Sequence, residues 1–356
     1  MLVDFNLNAF SRKRNKVSPQ SALQCSSVGR VDVNSVITMV LPVVGSGSIL
    51  RALLIKRPAV LLTFLRAYSG FYGINISRHG PTVSLTRGTD EILIGVQHLA
   101  YVGDLIHHFD FYFRAVEPRT TTGPDEKQFV DFSKCSDHVL RGFGQFPVEF
   151  PSFPEPVSTA DQYVHLSGMR SGDYVFDLGA YAGITTIRFA KTVGIQGRVL
   201  AVEADVMNFK SLTANLSRLE KTTKVNVQTF CGAVWSHDGE LEFSSESNLG
   251  SHVREKLRRG STVIRVPGRS LSSLVMEFGF PKVDVIKADI EGAEFEAFSD
   301  NSFFRRFRPT LIFEPSMRVD STTRPDALKT LLESYGYTIE TVPQEGSSSP
   351  LFICRA

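Results

Sequence analysis

The sequence predicts an α/β protein: a mainly parallel sheet covered by helices and closed by a C-terminal antiparallel hairpin, preceded by a smaller N-terminal α+β region. Three observations carry this. Beyond about residue 150, short apolar runs alternate with stretches of helical period, the pattern of strands joined by helical crossovers. The last two strand-like runs are separated only by residues 343–350, too few for a crossover, so they should pair antiparallel. Before residue 150 the order differs, with strand-like runs at 82–87 and 91–96 flanking the turn signal Gly88-Thr89-Asp90.

Residues 1–30 are polar and Ser-rich, with a basic cluster at Arg12, Lys13, Arg14 and Lys16, and read as a disordered tail. The apolar stretch 36–50 is broken by Pro42, Gly45 and Gly47 and closed by Arg51, short of the roughly 18–20 residues of a membrane span, so no integral span is expected. Residues 59–68 (AVLLTFLRAY) read as an amphipathic helix packed on the core. The text from 80 to 113 reads as strands, ending in an aromatic group, Phe109, Phe111, Tyr112 and Phe113, expected to pack. The Gly-, Pro- and Phe-rich stretch 142–156 reads as an ordered linker. The expected division is a tail (1–30), an accessory region (31–150) and a catalytic domain (151–356).

Within that domain, Ser158 and Asp161 give a capping-box-like helix start. Strands are expected at 173–178, 198–203, 225–230, 283–288 and 310–313, with helices at 185–193 and 293–298. Val206, Phe209, Leu212, Leu216 and Leu219 recur at helical spacing and predict one apolar stripe. Pro325 and Gly336 bracket a further helix, and strands at 337–342 and 351–354 form the closing hairpin.

The chain has 356 residues, 42% hydrophobic and 21% charged, enough for a sizeable core and too apolar for bulk disorder. Lys and Arg number 39 against 37 Asp and Glu, so the net charge of +2 offers no pull on a nucleic-acid polyanion. Cys25, Cys135, Cys231 and Cys354 lack CxxC spacing, which argues against a zinc site or a disulfide scaffold and for reduced thiols in the cytoplasm.

The strongest chemical signal is residues 175–183, VFDLGAYAG: a buried strand, a glycine-bearing turn, then a helix. Gly179 and Gly183, with Ala180 between them, let the backbone turn sharply beside a ligand, and Asp177 could hold a cationic group. A dinucleotide site needs G-x-G-x-x-G, yet Tyr181 stands where the second glycine would fall. That favours S-adenosylmethionine (SAM), which carries an ammonium and a sulfonium. Glu203 ends the next strand, where such folds place the acid that accepts bonds from ribose hydroxyls, with Ala204 beside it. Gly232-Ala233-Val234 follows the third strand and could receive an adenine ring. Asp289, in Lys287-Ala288-Asp289-Ile290-Glu291-Gly292-Ala293-Glu294, is either a general base or a ligand to a hard cation. Glu291 is a second catalytic candidate; for Glu291 and Glu294 helix N-terminal charge compensation is the alternative.

FDLGAYAG, AVEAD, the hairpin from CGAVW to HDGELEF, VIKADIEGAEFEAF and RPTLIFE, in this order, resemble the FkbM family of methyltransferases. The resemblance covers residues 151–314, with a looser tail. It implies a Rossmann-like SAM methyltransferase sheet and O-methylation of a hydroxyl, in many members on a sugar or secondary metabolite. Two departures stand out: Tyr181 where many members have Asn, and Ser270-Leu271-Ser272 where they have Thr-Leu-Asp.

Residues 244–261 hold His252 and the basic group Arg254, Lys256, Arg258 and Arg259, and read as a solvated loop, with a lid over an anionic substrate as the alternative. The fifth strand ends Phe313-Glu314-Pro315-Ser316, unlike the N/D-P-P-Y/F/W pattern of amine methylation. Two other readings of the chain are an NAD-dependent oxidoreductase and a SAM-binding module without catalysis.

Overall fold

The computed structural model describes residues 58–121, 126–144, 146–244, 252–253, 263–315, 325–345 and 349–356. The N-terminal tail, the 36–50 stretch and the basic group 254–259 lie outside the described residues. No helix among those described is long and apolar enough to cross a membrane.

The described chain begins with helix α1 (Pro58–Ser69), which turns Leu61, Leu62, Leu65 and Tyr68 inward at spacings of three and four. It packs on a sheet of five strands, β1 (Asn75–His79), β2 (Thr82–Arg87), β3 (Asp90–Gly95), β4 (Arg119–Thr120) and β5 (Gln128–Phe132), in the order β1-β2-β3-β5-β4. The expected hairpin forms, with Arg87 opposite Asp90 across the turn. The expectation of strands up to residue 113 fails: α2 (Val102–His107) and α3 (Phe109–Ala115) are helices. Phe109 and Phe113 are one helical turn apart, both buried, with rings stacked at 5.9 Å. That i,i+4 pairing outweighs the strand propensity of the aromatic run.

Two short antiparallel strands, β6 (Ser136–His138) and β7 (Val148–Phe150), lead into the larger sheet. The 142–156 stretch drives Phe150 and Phe153 into one hydrophobic cluster with residues from both halves of the chain. Helix α4 (Val157–Ser167) follows. Its N-cap is Pro156, with no side-chain cap, so the Ser158/Asp161 capping box does not form. Asp161 pairs with Arg188 at 2.9 Å instead.

The main sheet comprises β8 (Tyr174–Leu178), β9 (Arg198–Glu203), β10 (Val227–Cys231), β15 (Val285–Ala288), β16 (Thr310–Phe313), β17 (Thr338–Pro343) and β18 (Pro350–Arg355), in the order β10-β9-β8-β15-β16-β18-β17. Only β18 runs against its neighbours, as the short last loop requires. The chain progresses outward from β8 to β9 and β10, then returns to β15 on the other side of β8. This reversal opens a crevice at the strands' carboxyl ends, where α/β sheets bind ligands.

Helices α5 (Ile184–Val193), α6 (Val206–Glu220), α7 (Leu271–Phe278), α8 (Glu294–Phe298), α9 (Asn301–Phe307) and α10 (Pro325–Ser334) complete the fold. Asp205 caps α6, accepting from the amides of Met207 and Asn208. Leu212, Leu216 and Leu219 are buried as expected, but Val206, in the first turn of α6, is exposed. A small second sheet holds β11 (Ala233–Val234), β12 (Gly239–Ser244), β13 (His252–Val253) and β14 (Val263–Arg269). The expected hairpin from CGAVW to HDGELEF is not formed: β14 lies between β11 and β12, parallel to the first and antiparallel to the second.

Asn215 on α6 ties the two regions together. Its side chain accepts from the Glu149 amide and donates to the carbonyls of Glu149 and Ala182, each at 2.9 Å, while fully buried. Asn215→Ala would strand these buried groups at about 1–3 kcal/mol each. A loss of about 3 kcal/mol or more is expected in urea denaturation.

Candidate functional site

A cleft opens at the carboxyl ends of β8, β9 and β15, and holds about 550 Å³ including the solvent at its mouth. Gly179 and Tyr181 of the turn after β8 line it, as do Glu203 and Ala204 at the end of β9, Ala233 of β11, and Asp289 and Glu291 after β15. These expected site residues are thus brought together from four separate stretches of sequence. Asp177, Ala180 and Gly183 do not line it. The Asp177 carboxylate is wholly buried behind the turn, accepting from Thr186 Oγ1 at 2.5 Å and lying 3.3 Å from Lys287 Nζ. Gly183, at φ +87°, is the N-cap of α5 and packs on Leu212 of α6.

The turn's shape follows from close contacts. Gly179 adopts φ +75°, and a β-carbon there would overlap the main-chain oxygen of Asp289. The Gly179 and Ala180 amides both donate to Val202 O, at 2.9 and 3.0 Å. Tyr181 adopts φ +49°, a left-handed conformation that Asn accepts more readily than other side chains. The ring is anchored in compensation: its hydroxyl donates to Phe153 O at 2.9 Å and meets Ser152 Oγ at 3.2 Å.

Glu203 accepts from the Tyr181 amide through one oxygen and from the Asp205 amide through the other, both at 2.8 Å. The Asn208 side chain is a further hydrogen-bond partner of this carboxylate. Burial pushes its carboxyl up to about 7 against the pull of those amides. Burial likewise raises Glu294 to about 7, and Glu314, with Asp289 nearby, to about 8. Glu294 takes the Gly292 amide at 3.2 Å, so it closes its own helix start and turns away from a catalytic role.

Val202, Val234, Phe243, Ile290 and Ala293 supply an apolar wall, with Asn208 and Gly232 beside it. Phe243 comes from the small sheet, a contact that no local sequence pattern announces. The departing segment Ser270-Leu271-Ser272 lies outside the cleft lining. It starts α7, with Ser270 as N-cap accepting from the Ser273 amide and Asp300 accepting from Ser272 N. Asp300 therefore supplies the negative charge at this helix start that an aspartate at 272 would bring. Among the described residues no group of three or more His, Cys, Asp or Glu is placed to hold a metal ion.

Residues 177–339 match the family described as Methyltransferase FkbM domain. That match falls in the segment where the sequence resemblance lies, on a Rossmann-like α/β sheet. No curated protein matches the chain. Similar solved structures include Methyltransferase FkbM from Methylobacillus flagellatus KT, at 14% identity and TM-score 0.41, covering 72% of this chain and 54% of that one. The chain therefore spans about half the length of that relative. Aeropyrum pernix fibrillarin with natively bound S-adenosyl-L-methionine aligns at 12% identity and TM-score 0.36, covering 80% of this chain and 99% of that one. A putative O-methyltransferase from Klebsiella pneumoniae aligns at 13% and 0.33, covering 56% and 79%.

Gly179→Ala combines a left-handed backbone with a clash against fixed main chain. Gly88→Ala, at φ +62° with open space around it, carries the conformational cost alone, about 1 kcal/mol. Thermal melts are expected to show a small shift for Gly88→Ala, and at least twice that shift or a failure to fold for Gly179→Ala.

Proposed function

We propose, from the match to the FkbM methyltransferase domain and the cleft built around the glycine turn, that the chain transfers a methyl group from SAM to a hydroxyl oxygen of a sugar or secondary metabolite. The single observation that carries the cofactor is the pairing of an acid and an apolar slot. Glu203 stands at the strand end and lines the cleft, and Ala233, Val234, Phe243 and Ile290 form a wall suited to a purine ring. When bound, SAM supplies the electrophilic methyl group. Glu203 would hold the ribose hydroxyls, Ala204 and Ala233 would border the adenine, and the turn from Gly179 to Tyr181 would face the rest of the cofactor.

Asp289 follows β15 beside the turn and also lines the cleft, so the same carboxylate that borders the cofactor can take a proton from an acceptor hydroxyl there. Glu291, at φ +54° in the tight turn that follows, lies on the same wall. Hydroxyl over amine rests on this carboxylate and on the family resemblance, with the Phe313-Glu314-Pro315 strand end in support.

Parallel titration with S-adenosylhomocysteine (SAH) and NAD tests the cofactor; saturable NAD binding without SAH binding refutes the reading. A SAM-binding module without catalysis would bind SAH yet give no labelled methyl product across a panel of glycans and metabolites. Asp289→Asn is expected to lower kcat by about 10²–10⁴-fold, measured with labelled SAM. Glu203 is protonated below its raised value of about 7 and ionised above it, and the ionised form is the stronger acceptor for two hydroxyls. SAH affinity is therefore expected to rise between about pH 6 and about pH 8, and Glu203→Gln to flatten that rise in calorimetric titrations.

A further inference from the structure

We propose that Lys287 is a positioning residue, whose ammonium holds the peptide between Gly179 and Ala180 in place and so fixes the cofactor turn against the Asp289–Glu291 segment. The inference rests on the reading of the cleft as a cofactor site. Lys287 lies on β15 directly across from Asp177 on β8, and its side chain is 2% exposed. Nζ donates to the Gly179 main-chain oxygen at 2.8 Å, lies 3.3 Å from Asp177 Oδ1, and sits 5.8 Å from the centre of the Tyr163 ring.

The peptide that Lys287 reaches is held at both ends. Its carbonyl accepts from the ammonium, while its amide, that of Ala180, donates to Val202 O at 3.0 Å. Rotation of this peptide would redirect the wall of the cleft at Gly179 and Tyr181. Two residues on from Lys287, the Asp289 amide donates to Leu178 O at 2.9 Å and the Asp289 carbonyl packs on Gly179. One strand thus delivers both the clamp and the proposed base. Burial opposes the charge on Lys287, but Asp177, Asp289 and Glu155 outweigh it and hold the ammonium above its ordinary value.

An ion pair that served stability alone could be replaced by a neutral pair with little effect on the turn. A carbonyl anchor could not. The test is hydrogen exchange of the unliganded full chain carrying Asp177→Asn with Lys287→Met, the Asn keeping an acceptor for Thr186. Exchange at the Gly179, Ala180 and Tyr181 amides is expected to quicken by about tenfold or more, with the accessory sheet unchanged, and SAH affinity to fall by about tenfold. Turn amides within about twofold of wild type in the folded double variant would overturn the proposal. If that variant does not fold, the wild-type chain decides by lysine ¹⁵N NMR. A slowly exchanging Lys287 ammonium coupled through its hydrogen bond to the Gly179 carbonyl is expected, and its absence rejects the clamp. Both exchange readings are made without cofactor. A wild-type chain that does not bind SAH would therefore refute the cofactor reading while the turn measurement still gives its own answer.

Discussion

The cleft depends on one place where two backbones meet with no side chain between them. Gly179 leaves room for the carbonyl of Asp289, and nothing larger than hydrogen fits there. The contact follows from parallel pairing: β8 and β15 are neighbours in register, so their carboxyl ends emerge together and Leu178 O accepts the Asp289 amide. A turn and an acidic segment far apart in the sequence thereby become two walls of one site. Glycine at 179 satisfies both the positive φ and the close approach, so the requirement is steric twice over.

Tyr181 shows how this turn is joined to the rest of the chain. Its left-handed backbone carries strain of about 1–2 kcal/mol. Its amide is taken by Glu203, its hydroxyl by Phe153 and Ser152, and its ring lies against Phe150 at 6.3 Å. An asparagine at this position would relieve the strain and keep the amide bond to Glu203, but it lacks the hydroxyl and ring that meet Phe153, Ser152 and Phe150. The tyrosine therefore joins the glycine turn to residues 150–153, which lead into α4. Asn215 makes a second link between the same segments, joining Glu149 to Ala182. Residues 149–153 are thereby joined to the walls of the cleft without lining it.

Much of the main sheet could be read from sequence because its signals are local. Residues 198–203 and 310–313 are buried runs of strand length, and the short final loop dictates the antiparallel pair. Gly179, Tyr181, Glu203, Ala204, Ala233, Asp289 and Glu291 all reach the cleft, since each follows a strand end and strand ends share one edge of the sheet. The misreadings involve choices that local pattern does not decide. The aromatic residues at 109–113 fit either period, and burial on one helical face selects the helix. Asp177 looks like a ligand at a strand end, but an inward position and a lysine on the adjoining strand place it behind the turn. Phe243 and the β11–β14 pairing depend on long-range strand order, which leaves no trace in spacing.

The carboxylates at this edge set stability and binding against one another. Burial raises Glu155, Glu203 and Glu294 to about 7 and Glu314 to about 8, so the folded chain holds their protons more tightly than the unfolded chain. Stability from these groups is fullest at acid pH and declines as pH rises from the ordinary carboxyl range through those raised values. A ligand that donates hydrogen bonds or carries positive charge favours the ionised forms instead. Ionising the acids therefore costs the empty protein stability, and such a ligand returns part of it on binding. Lys287 cannot offset the whole set, because its ammonium is already committed to Asp177 and the Gly179 carbonyl. Of these four acids Glu203 lines the cleft, so a ligand there that donates hydrogen bonds couples its binding to pH chiefly through Glu203.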